Sequence, residues 1–367
     1  MKTVEQVIQS TIERFNIGIS AFRRKNGIRA NSVFAPVTFN NHNFFSGELQ
    51  LDDLHLYSEL FHEGRFEKYW ELLDGLTSEE LETIEKVSAY YASVEKLSKF
   101  HTSARRPSLL FCALFSRFWT ALSKLQPNQF RPSDIVEFGP GNLSLSVWFH
   151  TAKIGISKYT VIENALALFI FQNVLLKFIP QGPEKISLNG YFDFNGFSNS
   201  TGVVIANHCL NEMDPAALTF YLKHLTQPIC GIGFGGKRYL DRLLVDQIRD
   251  LLIRLSASNY YLALYVDQDG GRHSQPFDRS FFCLYHSTHF SHFNVYQNEV
   301  KIGEVAKDQY RAFINKFDFE AMEIVADSMD FDPAIMHSTL AGLRSPPPPY
   351  PFPKRTSGFK ETSSYLL

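Results

Sequence analysis

Cysteine is scarce in this sequence, and charge of neither sign is in excess. Four cysteines are spread over 367 residues, and no two of them form a C-x-x-C pair. Their scatter argues against a structural zinc site and is typical of a reducing compartment, so we expect a cytoplasmic protein. The formal net charge is −2, and no long basic stripe is present. That balance argues against a nucleic-acid partner.

Long apolar runs are also missing. The most apolar window, from Ala165 to Ile179, is too short and too polar to cross a bilayer. The chain opens on a polar amphipathic segment rather than a signal peptide, and we therefore expect no membrane span. Hydrophobic residues are abundant, at 44% of the chain, with 34 Phe among them. That content is enough for a substantial core in one large or two ordinary domains.

The first 130 residues are predicted to be mainly helical. Apolar residues at helical spacing predict helices over 3–24, 51–73, 78–97 and 107–125. An aromatic and amide-rich run over 31–45 is a candidate lid over a binding site, and an ordinary packed loop is the alternative. We therefore predict a helical N-terminal cap or substrate domain over 1–130.

Short apolar runs alternate with helical stretches from Asp134 onward, which is typical of βαβ units and a parallel sheet. The runs predict seven strands, over 135–138, 159–162, 186–188, 203–206, 229–234, 260–266 and 281–285. Helices are predicted over 143–149, 165–178, 215–225 and 239–256. Only a polar connection separates the last two strands, so we expect an antiparallel hairpin at the sheet edge. We predict a core over 131–290, a helical C-terminal extension over 291–345 and a proline-rich tail over 346–367.

A glycine turn follows the first predicted strand. Glu137 lies near the strand end, Gly139 and Gly141 come next, and a helical pattern then begins. Glycines let the backbone approach a ligand, and the helix N-terminus behind them offers free N–H groups. A purely structural turn is the alternative. Pro140, and Ser144 in place of the third glycine of G-x-G-x-x-G, disfavour a dinucleotide, whereas Glu137 can hold an ammonium group.

A second acid, Glu163, ends the next predicted strand. An acid at this place can accept hydrogen bonds from both ribose hydroxyls of a nucleoside. The alternative is a solvated loop residue or an acid at a helix start. The glycine turn between two such acids predicts a nucleoside pocket whose ligand also carries an amine.

A polar run follows the fourth predicted strand and contains Asn207, His208, Asn211 and Glu212. The next pair, Asp214-Pro215, is explained as a helix N-cap followed by proline at the first helical position. The four side chains before it have no such explanation. They follow the carboxyl end of a strand, where ligands bind in open α/β sheets. A loop histidine bonded to the backbone is the alternative for His208.

Together these features resemble the class I S-adenosylmethionine-dependent methyltransferases over roughly residues 134–286. Glu137, Gly139 and Gly141 match the first motif of that family, and Glu163 matches its acidic second-strand residue. The resemblance implies an α/β fold with a Rossmann-like core, whose seven-stranded, mostly parallel sheet ends in an antiparallel hairpin, next to the helical N-terminal domain. It also implies S-adenosyl-L-methionine as the cofactor. The implied cofactor-binding residues are Glu137, Gly139, Gly141, Asn142, Glu163, Asn164, Asn189 and Asn207. At Asn189 the usual third-strand acid is missing.

A histidine followed four positions later by glutamate and then methionine is similar to a family of bacterial sugar O-methyltransferases. This resemblance implies methyl transfer to a hydroxyl of a sugar or glycoconjugate. A sugar hydroxyl is a poor nucleophile, so His208 is the candidate general base, and Glu212 either orients it or is the base itself. A metal could replace the base. The cluster of Asp267, Asp269 and His273 is explained better by a hairpin loop, and we predict no metal site.

Two other functions stay open from the sequence. A small-molecule methyltransferase of specialised metabolism could use the same cofactor, with a Phe-rich pocket for an aromatic or polyketide acceptor. A catalytically inactive methyltransferase-like chain could serve as a partner subunit, although the intact motif residues argue against it. The expected partner is a small-molecule or glycan acceptor, and a homo-oligomer is possible.

Overall fold

The computed structural model of the chain describes residues 4–26, 75–92, 105–127, 130, 134–141, 143–152, 154, 156, 158–163, 169, 172–173, 176–177, 186–190, 201–211, 213, 215–234, 244–267, 280–319 and 322–340. The predicted helix over 51–73, the candidate lid and the proline-rich tail lie outside these residues. The predicted boundaries between domains stay a prediction.

Three N-terminal helices are described: α1 over Val4–Asn26, α2 over Ser78–Ala92 and α3 over Arg105–Leu125. They agree with the helical spacing in the sequence. Thr77 and Glu80 form a capping box at the start of α2, because each side chain accepts a hydrogen bond from the backbone N–H of the other. Glu80 also accepts from Arg117 Nε at 2.6 Å, which ties α2 to α3.

All seven predicted strands are present: β1 over Asp134–Phe138, β2 over Lys158–Glu163, β3 over Ile186–Gly190, β4 over Thr201–Ala206, β5 over Ile229–Ile232, β6 over Tyr260–Asp267 and β7 over Ser280–His286. Their order in the sheet is β3-β2-β1-β4-β5-β7-β6. The first five strands pair in parallel, and β7 is antiparallel to both β5 and β6. This order, with one antiparallel strand between β5 and β6, is the Rossmann-like arrangement of class I methyltransferases and confirms the predicted fold class.

Helices lie between β1 and β2, between β4 and β5 and between β5 and β6, as expected for a sheet with both faces covered. They are α4 over Ser144–Thr151, α5 over Pro215–Lys223 and α6 over Leu244–Leu255. Within the predicted helix over 165–178, Phe169, Gln172, Asn173, Leu176 and Lys177 are described, and all five are helical. Buried residues of α1, α3 and the sheet belong to one hydrophobic cluster.

The C-terminal segment differs from the predicted helical extension. It contains three further strands, β8 over His292–Gln297, β9 over Val300–Ala306 and β10 over Glu323–Ala326, and two short helices, α7 over Tyr310–Ile314 and α8 over Pro333–Leu340. Strand β10 pairs with both β6 and β8, and β8 pairs with β9. The sheet therefore has ten strands, and the β6–β7 hairpin lies inside it rather than at its edge.

The turn between β8 and β9 explains why the sequence does not predict this hairpin. Asn298 and Glu299 both have positive φ, 47° and 65°, as in a type I′ hairpin turn. Such a turn is normally recognised from a glycine, and Glu299 stands in that place. Strand β9 is also almost entirely exposed, and the alternation of Val300 and Ile302 with Lys301 breaks off at Gly303.

Candidate active site

The glycine turn after β1 has the backbone shape that its sequence predicts. Gly139 has φ +60° and Gly141 has φ +55°, both in the left-handed region that side chains rarely adopt. A Cβ on Gly139 would lie 3.1 Å from the Cβ of Cys209, so this position is also closely packed. A Cβ on Gly141 would meet no described atom within 4 Å. Among the described residues, no atom therefore fills the space beside Gly141, at the carboxyl end of β1.

Glu137 is buried beneath this turn, with 3% of its surface exposed. Its Oε2 accepts a hydrogen bond from the hydroxyl of Tyr159 on the neighbouring strand β2, at 2.8 Å. Burial raises the pKa of Glu137 to about 8, the Tyr159 hydrogen bond opposes that rise, and the nearby Glu163 adds to it. The carboxyl group is therefore mostly protonated at neutral pH until a cation approaches it.

Glu163 ends β2 and is buried as well, with 1% exposed. Its Oε2 accepts a hydrogen bond from Nε2 of Gln172 at 2.9 Å. The same Nε2 donates to the backbone oxygen of Gly141 at 2.6 Å. Gln172 was not among the predicted site residues, because nothing in the sequence nearby marks it. The structure thus brings Glu137, Glu163 and the glycine turn together at one end of the sheet.

The remaining predicted cofactor residues are described in part. Asn189 lies near the carboxyl end of β3 and pairs with Ile162 of β2, which places its backbone beside Glu163; its side chain is not described. Asn142 and Asn164 lie outside the described residues, so their contacts stay a prediction.

His208 lies just beyond β4 and has φ +50°, a left-handed conformation that is uncommon for a residue with a side chain. Its backbone N–H donates to the carbonyl oxygens of Ile232 and Gly233, at 3.1 and 3.2 Å, which holds this conformation. The ring packs against Phe111 of α3, with ring centroids 5.1 Å apart. Burial lowers the pKa of His208 to about 4, so the imidazole is neutral at physiological pH.

The two asparagines of the polar run have structural partners that the sequence did not show. Oδ1 of Asn207 accepts the backbone N–H of Ile232 at 3.0 Å, and its buried Nδ2 finds no acceptor among the described residues. Nδ2 of Asn211 donates to the backbone oxygen of Gln247 on α6 at 2.7 Å. Asn211 therefore anchors this turn to α6, whereas the NH₂ group of Asn207 at the end of β4 has no partner among the described residues. Glu212 lies outside the described residues.

Within the described residues, no group of three or more His, Cys, Asp and Glu side chains could hold a metal ion. Asp267 ends β6, and both Asp269 and His273 lie outside the described residues. All four cysteines are buried as free thiols. No helix in the described part of the chain combines the length and the hydrophobicity that crossing a membrane requires.

Comparison with known proteins finds similarity only at the level of folds. No protein-family model matches the chain, and neither does any curated protein. The plantazolicin methyltransferase BpumL in complex with SAH is 14% identical, with a TM-score of 0.32, over 56% of this chain and 97% of that one. MtNAS in complex with MTA and tNA is 11% identical, with a TM-score of 0.35, over 75% of this chain and 97% of that one. Geranyl diphosphate methyltransferase in complex with GPP and sinefungin is 11% identical, with a TM-score of 0.33, over 50% of this chain and 78% of that one. Because these scores are low, the fold is assigned from the strand order.

Proposed function

We propose that this protein is an S-adenosylmethionine-dependent O-methyltransferase that acts on a hydroxyl of a sugar or glycoconjugate. The observation that carries the proposal is the pair of buried carboxyl groups beside the glycine turn. Glu137 and Glu163 are 3% and 1% exposed, at the carboxyl ends of adjacent strands in a sheet with methyltransferase strand order. Buried carboxyl groups are uncommon unless a partner compensates them.

The described residues fit this cofactor. Burial makes Glu137 costly to ionise, and the ammonium group of the methionine moiety is the kind of cation that would offset this cost. Glu163 offers carboxylate oxygens to the ribose hydroxyls. The space beside Gly141 lets the ligand approach the backbone closely. When bound, S-adenosylmethionine supplies a methyl group on a positively charged sulfur.

On the acceptor side, His208 and Phe111 are the described residues with the required chemistry. A neutral imidazole can accept the proton of a hydroxyl as the oxygen attacks. The lowered pKa of His208, about 4, keeps the ring neutral but also makes it a weaker base than a histidine that titrates near pH 7. The ring of Phe111 offers an apolar face next to it. We assign His208 the role of general base in this proposal. Glu212 keeps its predicted role as the residue that orients His208 or replaces it as the base.

Calorimetry with S-adenosylhomocysteine tests the cofactor. We expect the wild-type protein to bind it and Glu163→Ala to bind much more weakly, since losing a hydrogen bond to a charged group costs about 1.5–3 kcal/mol. Glu85→Ala, on the exposed face of α2, is the control and should bind like the wild type. Tight binding of NAD with no response to S-adenosylhomocysteine would exclude the proposed function.

Product mass spectrometry tests the acceptor. The protein would be incubated with S-adenosylmethionine and two panels, one of saccharides and one of aromatic or polyketide hydroxyl compounds. A mass gain of one methyl group on a saccharide supports the proposal. Methylation confined to the aromatic panel would favour a methyltransferase of specialised metabolism. Cofactor binding without turnover on either panel would favour the inactive partner subunit.

A further inference from the structure

Gln172 is a fully buried side chain that joins the two halves of the candidate cofactor site. Its Nε2 donates one hydrogen bond to Oε2 of Glu163 and one to the backbone oxygen of Gly141, at 2.9 and 2.6 Å. A carboxylate and a carbonyl are both acceptors, so only the NH₂ end of the amide can serve them. The orientation of the amide is therefore set by its partners. Through Gln172 the position of the Glu163 carboxylate depends on the position of the glycine turn.

The oxygen end of the same amide has no hydrogen-bond donor among the described residues. Oε1 of Gln172 is buried and accepts no hydrogen bond from any described residue. A buried acceptor without a donor costs free energy, so a side chain that served packing alone would be better replaced by an apolar one. A ligand that brings a hydroxyl beside Glu163 would supply the missing donor.

Helix α1 packs against the helical segment that carries Gln172. The next residue, Asn173, donates from Nδ2 to the hydroxyl oxygen of Thr11 in α1. One turn earlier, the ring of Phe169 is fully buried and lies 5.4 Å from the ring of Phe15. The guanidinium of Arg14 lies 5.6 Å from the same Phe169 ring. The segment is thus held between α1 on one side and the cofactor carboxylate on the other.

We propose that Gln172 is a positioning residue for the cofactor. It holds the carboxylate of Glu163 in the orientation that receives the ribose hydroxyls, and it links that carboxylate to the glycine turn and, through its helix, to α1. The inference rests on the proposed function, since it needs a ribose-bearing ligand at Glu163. It makes the N-terminal helix a contributor to cofactor binding and not only to the acceptor side.

The test replaces Gln172 by methionine, which keeps the length of the side chain and removes its hydrogen bonds. We expect the Kd for S-adenosylhomocysteine, measured by calorimetry, to rise about 10- to 100-fold, the usual loss when the partner that orients a ligand-binding side chain is removed. Gln126→Met is the matched control. Gln126 is also buried, accepts from Tyr285 and donates to the backbone oxygen of Ser328, at the opposite end of the sheet. Its replacement should leave the Kd unchanged.

Two further measurements separate positioning from a general loss of structure. With a 2′,3′-dideoxy analogue of S-adenosylhomocysteine, Gln172→Met should bind as well as the wild type, because the ribose hydroxyls are gone. In a Glu163→Gln background, Gln172→Met should likewise add little, because residues that act as one unit are not additive. An equal loss of affinity for both ligands, or full additivity with Glu163→Gln, would refute the positioning role.

A second variant tests the link to α1 at a residue that lies outside the cofactor pocket. Thr11→Val removes the hydrogen bond to Asn173 and keeps the shape of the side chain, and we expect it to raise the Kd a few-fold. An unchanged Kd would refute the coupling to α1. If the wild-type protein does not bind S-adenosylhomocysteine at all, the proposed function fails. If the wild type binds and Gln172→Met binds equally well, only the role of Gln172 fails.

Discussion

The buried carboxyl group of Glu137 should make the stability of the protein depend on pH, with a sign opposite to that of most acidic residues. Its folded-state pKa is about 8, against an ordinary value of 4.5. Between these two values the folded state binds the proton and the unfolded state does not, so stability falls as pH rises. At about 1.36 kcal/mol per pKa unit, the full difference amounts to roughly 5 kcal/mol above pH 8, as an upper bound.

The perturbation is Glu137→Gln, which keeps the shape of the side chain and cannot ionise. An oxygen acceptor for the Tyr159 hydroxyl remains, so the hydrogen bond within the site can persist. We expect the variant and the wild type to be similarly stable at pH 5. At pH 9 the variant should be more stable by a few kcal/mol, because only the wild type has to bury an ionised carboxylate on folding or take up a proton from a basic solution.

The assay is urea unfolding at pH 5, 7 and 9, with the difference between the two proteins taken at each pH. Glu82→Gln is the control, since Glu82 is exposed on α2 and its pKa is lowered rather than raised, by Lys86. Cofactor binding should have the opposite effect on Glu137, because the ammonium group of the ligand favours the ionised carboxylate. Binding of S-adenosylhomocysteine near pH 7 should release a proton from the wild type and none from Glu137→Gln, which should also bind more weakly.

Either of two results would refute this reasoning. If the stability difference between Glu137→Gln and the wild type is the same at pH 5 and pH 9, the carboxyl group does not titrate with a raised pKa. If the variant binds the cofactor as tightly as the wild type and releases the same number of protons, Glu137 does not face the ammonium group.

Three further predictions follow from the site. His208→Ala should lower kcat on the order of 10²–10⁴-fold in a steady-state assay with little change in cofactor Kd, the usual effect of removing a positioned base. Burial lowers the pKa of His208 to about 4, so the wild-type rate should rise with pH near that value and be level around neutrality. This rise should vanish in His208→Ala. An unchanged dependence of the rate on pH in the variant would assign the role of general base to Glu212 or a metal. Deleting residues 1–50 should abolish turnover, measured by product mass spectrometry. The deletion should also weaken cofactor binding, because α1 packs against Phe169 and Asn173. A truncated protein that folds, binds the cofactor and methylates its acceptor normally would contradict this prediction.

The seven strands of the core and the glycine turn could be predicted from the sequence because their signals are local. Each predicted strand is a short apolar run that ends at a polar residue or a turn glycine, such as Glu163 or Gly139. In a parallel sheet the carboxyl ends of such runs meet at one edge, so the sequence predicts that Glu137, Glu163 and His208 lie near one another. The hairpin of β8 and β9 has weaker signals, because β9 is exposed and its turn carries Asn298 and Glu299 without a glycine.

The amino-acid sequence by itself therefore determined which residues end the strands of the core, and so which carboxyl groups can face a ligand. The tertiary structure decided which partners those groups have. Tyr159 beside Glu137, Gln172 beside Glu163 and Phe111 beside His208 come from other elements of the chain, and no spacing in the sequence marks them. The physical reason is that a hydrogen bond or a ring contact depends on distances of a few ångströms between atoms, which are set only when helices and strands pack. The same packing sets the degree of burial, and burial moves the pKa of Glu137 up and that of His208 down.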